Sequence, residues 1–174
     1  MLTIMSLLLS LPALPIVHAS ASTFSFNLTG PNFSEAESGP FAGDNIRLTG
    51  SGSFTCTLAG GSFPKGCSGG SVVDGTGSFT HRHSDGALVA KGTWVAAGFV
   101  SFTSYGGPSN GFQGGLLKIT VTLFPSGGGS VGPVEMWISC EINAPGGAPE
   151  EGARLPGAGF TEQISGLTLI HLNS

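Results

Sequence analysis

The sequence predicts an all-β domain, an antiparallel meander of seven or eight strands closing into a β-barrel, with a β-sandwich as the alternative. Three observations predict it. Hydropathy alternates with a period of two along most of the chain, which marks half-buried strands, and no stretch carries a convincing helical repeat. The alternating runs are separated by connections rich in Gly, Pro, Ser and Asp. Glycines fall on the apolar parity of the longest runs, where a strand bends or another backbone approaches. Long strands bent by glycine are what closure and strong sheet curvature require.

Each element follows in order. Phe24, Phe26 and Leu28 share one face of a first strand, with Ser25 and Asn27 opposite. Pro31 to Asp44 reads as loop. The second strand is the clearest. Ile46, Leu48, Gly50, Gly52, Phe54, Cys56 and Leu58 fall on one parity, and Arg47, Thr49, Ser51, Ser53, Thr55 and Thr57 on the other. The third strand runs from about Ser71 to His83, with Val73, Gly75, Gly77, Phe79, His81 and His83 on one side. Ser84-Asp85-Gly86-Ala87 is a hairpin turn. The fourth strand groups Leu88, Ala90, Gly92, Trp94 and Ala96, and continues to Phe102 through a bulge at Ala97-Gly98. Leu117 to Leu123 and Val134 to Ile142 supply the fifth and sixth strands. Tyr105 to Gly115, Pro125 to Pro133 and Pro145 to Pro156 are loops, and Gly159 to Leu172 gives one or two last strands broken near Ser165-Gly166.

Residues 1–21 read as a signal peptide, leaving residues 22–174 as a single all-β domain. Met1 to Val17 is apolar but broken by Pro12 and Pro15, which suits a leader better than a span, and Ala19-Ser20-Ala21 is a small-x-small cleavage pattern. No later segment is apolar for long enough to cross a membrane. The expected location is therefore secreted and extracellular. Charged residues make up 9% of the chain against 40% hydrophobic, so a core can form despite 30 glycines. A formal charge of −4 without a basic run excludes nucleic acid as a natural partner.

Of the three cysteines, Cys56 and Cys67 bracket a short glycine-rich connection. Their pairing would contribute about 2–3 kcal/mol by shortening the unfolded chain. Cys140 is then a buried free thiol; Cys56 with Cys140 is the rival pairing. Asn27-Leu28-Thr29 and Asn32-Phe33-Ser34 are N-glycosylation sequons.

His81-Arg82-His83 is the sharpest chemical feature. In a strand both imidazoles point to one side, here the apolar one. Two imidazoles can start a metal site, but a third ligand such as His171, Glu135 or Asp85 would be needed. The plainer reading is a pair at a pocket mouth or at a half-exposed strand end, and no metal or cofactor is expected. Trp94 and Trp137 are candidate aromatic binding residues. Trp137 falls on the polar parity of its strand, whereas Trp94 shares the glycine parity and equally suits the core. Glu150-Glu151 sits on a loop that does not supply the opposed carboxylates of a glycosidase. Gly50-Ser51-Gly52-Ser53 lies mid-strand, so it is no nucleophile elbow.

Several phrases occur together: Gly43-Asp44-Asn45-Ile46-Arg47-Leu48-Thr49-Gly50-Ser51-Gly52, Gly77-Ser78-Phe79-Thr80-His81, Gly92-Thr93-Trp94 and Ser101-Phe102-Thr103-Ser104-Tyr105-Gly106, with Cys140 and Glu150-Glu151-Gly152. In these the chain resembles a group of uncharacterised secreted β-rich proteins of microbes. The resemblance spans most of residues 22–174 and implies secretion and a β fold. It attaches no activity, so no functional residue follows from it.

The function expected is that of a secreted, non-catalytic extracellular β-domain that binds a glycan or small apolar ligand, or acts at a surface, with His81, His83, Trp94 and Trp137 as binding candidates. The alternatives are a small barrel enzyme of isomerase or cyclase type, using His81 or His83 as acid/base near Trp94, and a structural matrix protein.

Overall fold

The computed structural model describes residues 20–59, 61–108 and 110–173. The expected leader therefore lies, up to residue 19, outside the described residues. Among the described residues nine strands form one antiparallel sheet: β1 (Ser22–Glu35), β2 (Asn45–Ala59), β3 (Lys65–Arg82), β4 (Leu88–Gly106), β5 (Phe112–Pro125), β6 (Val131–Cys140), β7 (Gly152–Arg154), β8 (Glu162–Ser165) and β9 (Thr168–Asn173). No α-helix occurs among the described residues; two short 3-10 turns cover Gly39–Phe41 and Pro156–Ala158.

β1 to β7 pair in chain order as a meander. The chain then returns, and β8 and β9 both pair with β1. β9 also meets β5 through Phe112↔His171 and Gln113↔Ile170. The pairings β1–β2–β3–β4–β5–β9–β1 thus form a ring of hydrogen-bonded neighbours. The strand beyond the expected seven or eight is β7, three residues inside the presumed loop Pro145 to Pro156, too short for alternation to register.

β1 also runs past its expected end. Leu28 faces Gly50 while Asn32 faces Leu48, so two extra residues bulge out and pairing resumes beyond Pro31. Gly30 turns the bulge at φ +84°, and the Thr29 N–H donates to Leu167 O. The proline that reads as a strand end sits inside this bulge, where no ladder hydrogen bond is required of it. The shift expected at Ala97-Gly98 is present in β4.

The core parity of β2 continues into Phe24, Phe26 and Leu28 of β1 and Leu117, Ile119 and Val121 of β5, all buried. Trp94 is fully enclosed, and its indole N–H donates to Thr49 O at 2.9 Å. A Cβ at Gly50 would sit 2.5 Å from Trp94 Cζ2, and one at Gly77 would sit 2.5 Å from Nε1. The glycines on the apolar parity of β2 and β3 therefore form the notch that receives the indole.

Cys56 and Cys67 are joined as a disulfide between β2 and β3. Cys140 is a buried free thiol, and burial pushes its pKa up, which keeps it in the unreactive thiol form.

Candidate functional site

The histidine pair is organised by a carboxylate. The 3-10 turn Gly39–Phe41 closes a compact loop in which Gly43 N donates to Ala36 O, Asp44 N to Phe41 O and Ala36 N to Asp44 O. That loop delivers Asp44 to the start of β2, one strand from His81, which faces Ile46 in the ladder. His81 Nε2 lies 2.8 Å from Asp44 Oδ2, and His83 Nδ1 lies 3.0 Å from Oδ1. Asp44 is 5% exposed and His81 8%. Hydrogen bonding from His83 holds the Asp44 carboxyl below its ordinary value; burial opposes this, and His81 adds to the lowering.

An ionised carboxylate can only accept, so each imidazole donates an N–H to it. His81 therefore carries a proton on Nε2 and His83 on Nδ1. Neutral, His81 keeps Nδ1 and His83 keeps Nε2 as acceptors. The third member of the pair is thus Asp44 rather than His171, Glu135 or Asp85. His171 packs edge-on against Phe112 on β9. Glu135 accepts from Trp137 Nε1 on β6, and Asp85 accepts from Ala87 N in the hairpin turn. Among the described residues no set of three His, Cys, Asp or Glu side chains has the arrangement to hold a metal ion.

Beside His81 lies an apolar cavity of about 150 Å³. Phe41, Phe79, Leu123 and Phe160 form much of its wall. The rings of Phe41 and Phe160 each meet His81 edge-on at 5.1 Å. Trp94 and His83 do not line it. The structure thus separates residues that the sequence groups together: His81 at a small pocket, His83 more than half exposed at the strand end, and Trp94 in the packed core. Trp137 stands elsewhere, half-buried on β6, with Lys118 Nζ 3.9 Å above its ring.

A larger cavity lies on the polar face of the sheet. Its volume is about 430 Å³. Ladder register explains its lining: His171, Ser25, Ser53 and Asp74 form one row across β9, β1, β2 and β3, and Leu169, Asn27 and Ser51 form the next. Ser53 Oγ donates to Asp74 Oδ1 at 2.7 Å. Phe112 walls one side. Gly52 backs the groove from the inner face, where the missing side chain makes room for Phe26: a Cβ there would sit 2.6 Å from Phe26 Cζ. This groove was not singled out in the sequence. Its signal was the unbroken Ser/Thr parity of β2, which reads equally as ordinary solvent-facing strand.

The two sequons differ. Asn27 is exposed at this groove, whereas Asn32 is fully buried with Nδ2 donating to Gly30 O at 3.2 Å. Glu150 and Glu151 do not oppose each other across a cleft. Glu151 Oε1 accepts from Thr168 N at 2.9 Å and anchors the start of β9. No protein-family model matches the chain, and no curated protein or solved structure matches it.

Proposed function

We propose that the chain is a secreted, non-catalytic β-domain that binds a glycan in the groove over β9, β1, β2 and β3, with the ring of strands closed as a flattened barrel. The observation that carries this reading is the groove of about 430 Å³ lined by Ser25, Asn27, Ser51, Ser53 and Asp74 beside Phe112. A sugar presents hydroxyls at its rim and C–H groups on its ring faces. Hydroxyls, an amide and a carboxylate in fixed rows meet the first, and an aromatic wall meets the second. The apolar leader, the sparse charge and the Cys56–Cys67 disulfide support an extracellular setting.

NMR titration of the isotope-labelled protein with neutral and acidic oligosaccharides tests the proposal. Shifts are expected at Ser25, Ser51, Gly52 and Ser53, and Asp74→Ala or Phe112→Ala should weaken binding by about tenfold each. Unmoved resonances across the groove with every sugar would sink it.

A second reading rests on the pocket beside His81. A cavity of this size accepts a benzene-sized molecule, and His81 Nδ1, with Asp44 fixing the other nitrogen, would act there as a base on a small apolar substrate. Titration with phenol separates the two readings, because it would move Phe79 and Leu123 and leave the groove untouched.

A further inference from the structure

We infer that the groove continues into a cationic subsite, formed by Arg47 and Arg82, that takes a carboxylate or sulfate on the bound glycan. This inference rests on the glycan reading of the groove and names the class of sugar.

A second cavity, of about 210 Å³, lies on the same polar face, lined by Phe33, Asn45, Arg47, Thr80 and Arg82. Register places the two arginines together. Arg47 faces Thr80 and Asn45 faces Arg82, so the guanidinium groups arise from adjacent rows of neighbouring strands and emerge on one side. Each is positioned by a single tie. Arg47 lies 5.9 Å over the Phe33 ring, and Arg82 Nη1 donates to Gly86 O at 2.7 Å.

Neither guanidinium is in an ion pair among the described residues, where the carboxylate contacts within salt-bridge range join Asp44 to the histidines. No carboxylate lines the cavity. The acids in the same cross-strand row are Glu35, opposite Asn45 on β1, and Glu162 beyond it on β8, neither of which lines the cavity, and Asp85 is engaged with the turn backbone. Lys91 faces Thr80 from β4 and adds a third cation at this corner. Half of the six Lys and Arg residues of an acidic chain thus meet at one end of one face. An external anion offers these groups the counter-charge the fold withholds, and a planar guanidinium matches a carboxylate or sulfate through paired N–H donors.

The two cavities share a strand. Asn45, Arg47, Thr49, Ser51 and Ser53 are successive polar-face residues of β2, running from the cationic cavity to the groove over about 26 Å. Thr49 and Ser78 hydroxyls, 2.7 Å apart, bridge the middle. An extended acidic oligosaccharide can lie along this track with its anionic group over Arg47 and Arg82.

Calorimetric titration of the purified protein with three probes tests this: an oligogalacturonate, a sulfated heparin-derived oligosaccharide and a neutral oligosaccharide of equal length. An acidic probe should bind about tenfold or more tightly than the neutral one, with the advantage shrinking as salt rises. Arg47→Gln and Arg82→Gln should abolish the advantage and leave neutral binding unchanged. Both side chains are exposed, and an unchanged melting midpoint confirms that each variant folds. Whether the uronate or the sulfated probe is preferred identifies the anionic group.

Equal affinity for acidic and neutral probes, or a preference that survives both substitutions, would overturn the inference while the groove reading stands. Acidic binding lost in Arg47→Gln but indifferent to Asp74→Ala would overturn the groove reading while the cationic site stands. Binding of none of the three probes would overturn both.

Discussion

His81 and Arg82 are neighbours in β3 and face opposite sides of the sheet. Their surroundings could hardly differ more. On the inner side, His81 is sealed by Phe41 and Phe160 and tied to an ionised carboxylate that also holds His83. On the outer side, Arg82 stands beside Arg47 with no carboxylate in their shared cavity. The sequence writes both as polar residues in one tripeptide. Polar character alone does not mark a binding site: charge that the fold has already compensated holds structure together, whereas uncompensated charge is open to a ligand.

The inner face should therefore resist substitution and the outer face accept it. The largest effect is expected at Trp94→Ala. It empties the glycine notch and strands Thr49 O, and should lower stability by about 3–5 kcal/mol in urea denaturation. A loss below about 1 kcal/mol would mean that the notch is not tightly packed.

The next effect concerns Asp44. Its depressed pKa means that the unfolded chain takes up the proton first as pH falls below the ordinary value of 3.8. Folded-state stability from this group is therefore full above that value and is lost as pH drops through the lower native one. Thermal melts of Asp44→Asn should show a reduced midpoint at neutral pH and a shallower decline through this acid range than the parent. Parallel acid profiles would show that the carboxylate contributes nothing. The smallest effects belong to the outer face, where Thr49→Ala and Ser53→Ala should change stability by no more than about 0.5 kcal/mol.

Much of the fold was legible because alternation reports which side of a sheet a residue takes. The long parity of β2 and the bulge near Ala97-Gly98 follow from local spacing, whereas spacing leaves two pairings open for Cys56, of which the structure has the local one with Cys67 and Cys140 as the buried free thiol. The ends of strands were less legible. β1 passes through Pro31 because a bulge absorbs it, and β7 exists because Ser139 lies opposite Gly152; neither depends on its own few residues. The sites were the least legible. Asp44 is 37 residues from His81, and a loop with no periodicity brings it there. The groove needs residues from five strands whose register is fixed by hairpins and by the return of β9 to β1 and β5. Arg47 and Arg82 are far apart in the chain, and only the β2–β3 register puts them side by side.

The position of β1 has a consequence for the order of events in folding. It pairs with β2, but also with β8 and β9, and Ser25 meets Asn173 across 148 residues of chain. The β2–β3–β4–β5 hairpins can zip locally, whereas the far flank of β1 stays an unpaired edge until the last described strand arrives. Such long-range closure is slow, because loop entropy is lost before contacts repay it. During synthesis this edge is the surface most open to pairing with another chain until β9 emerges.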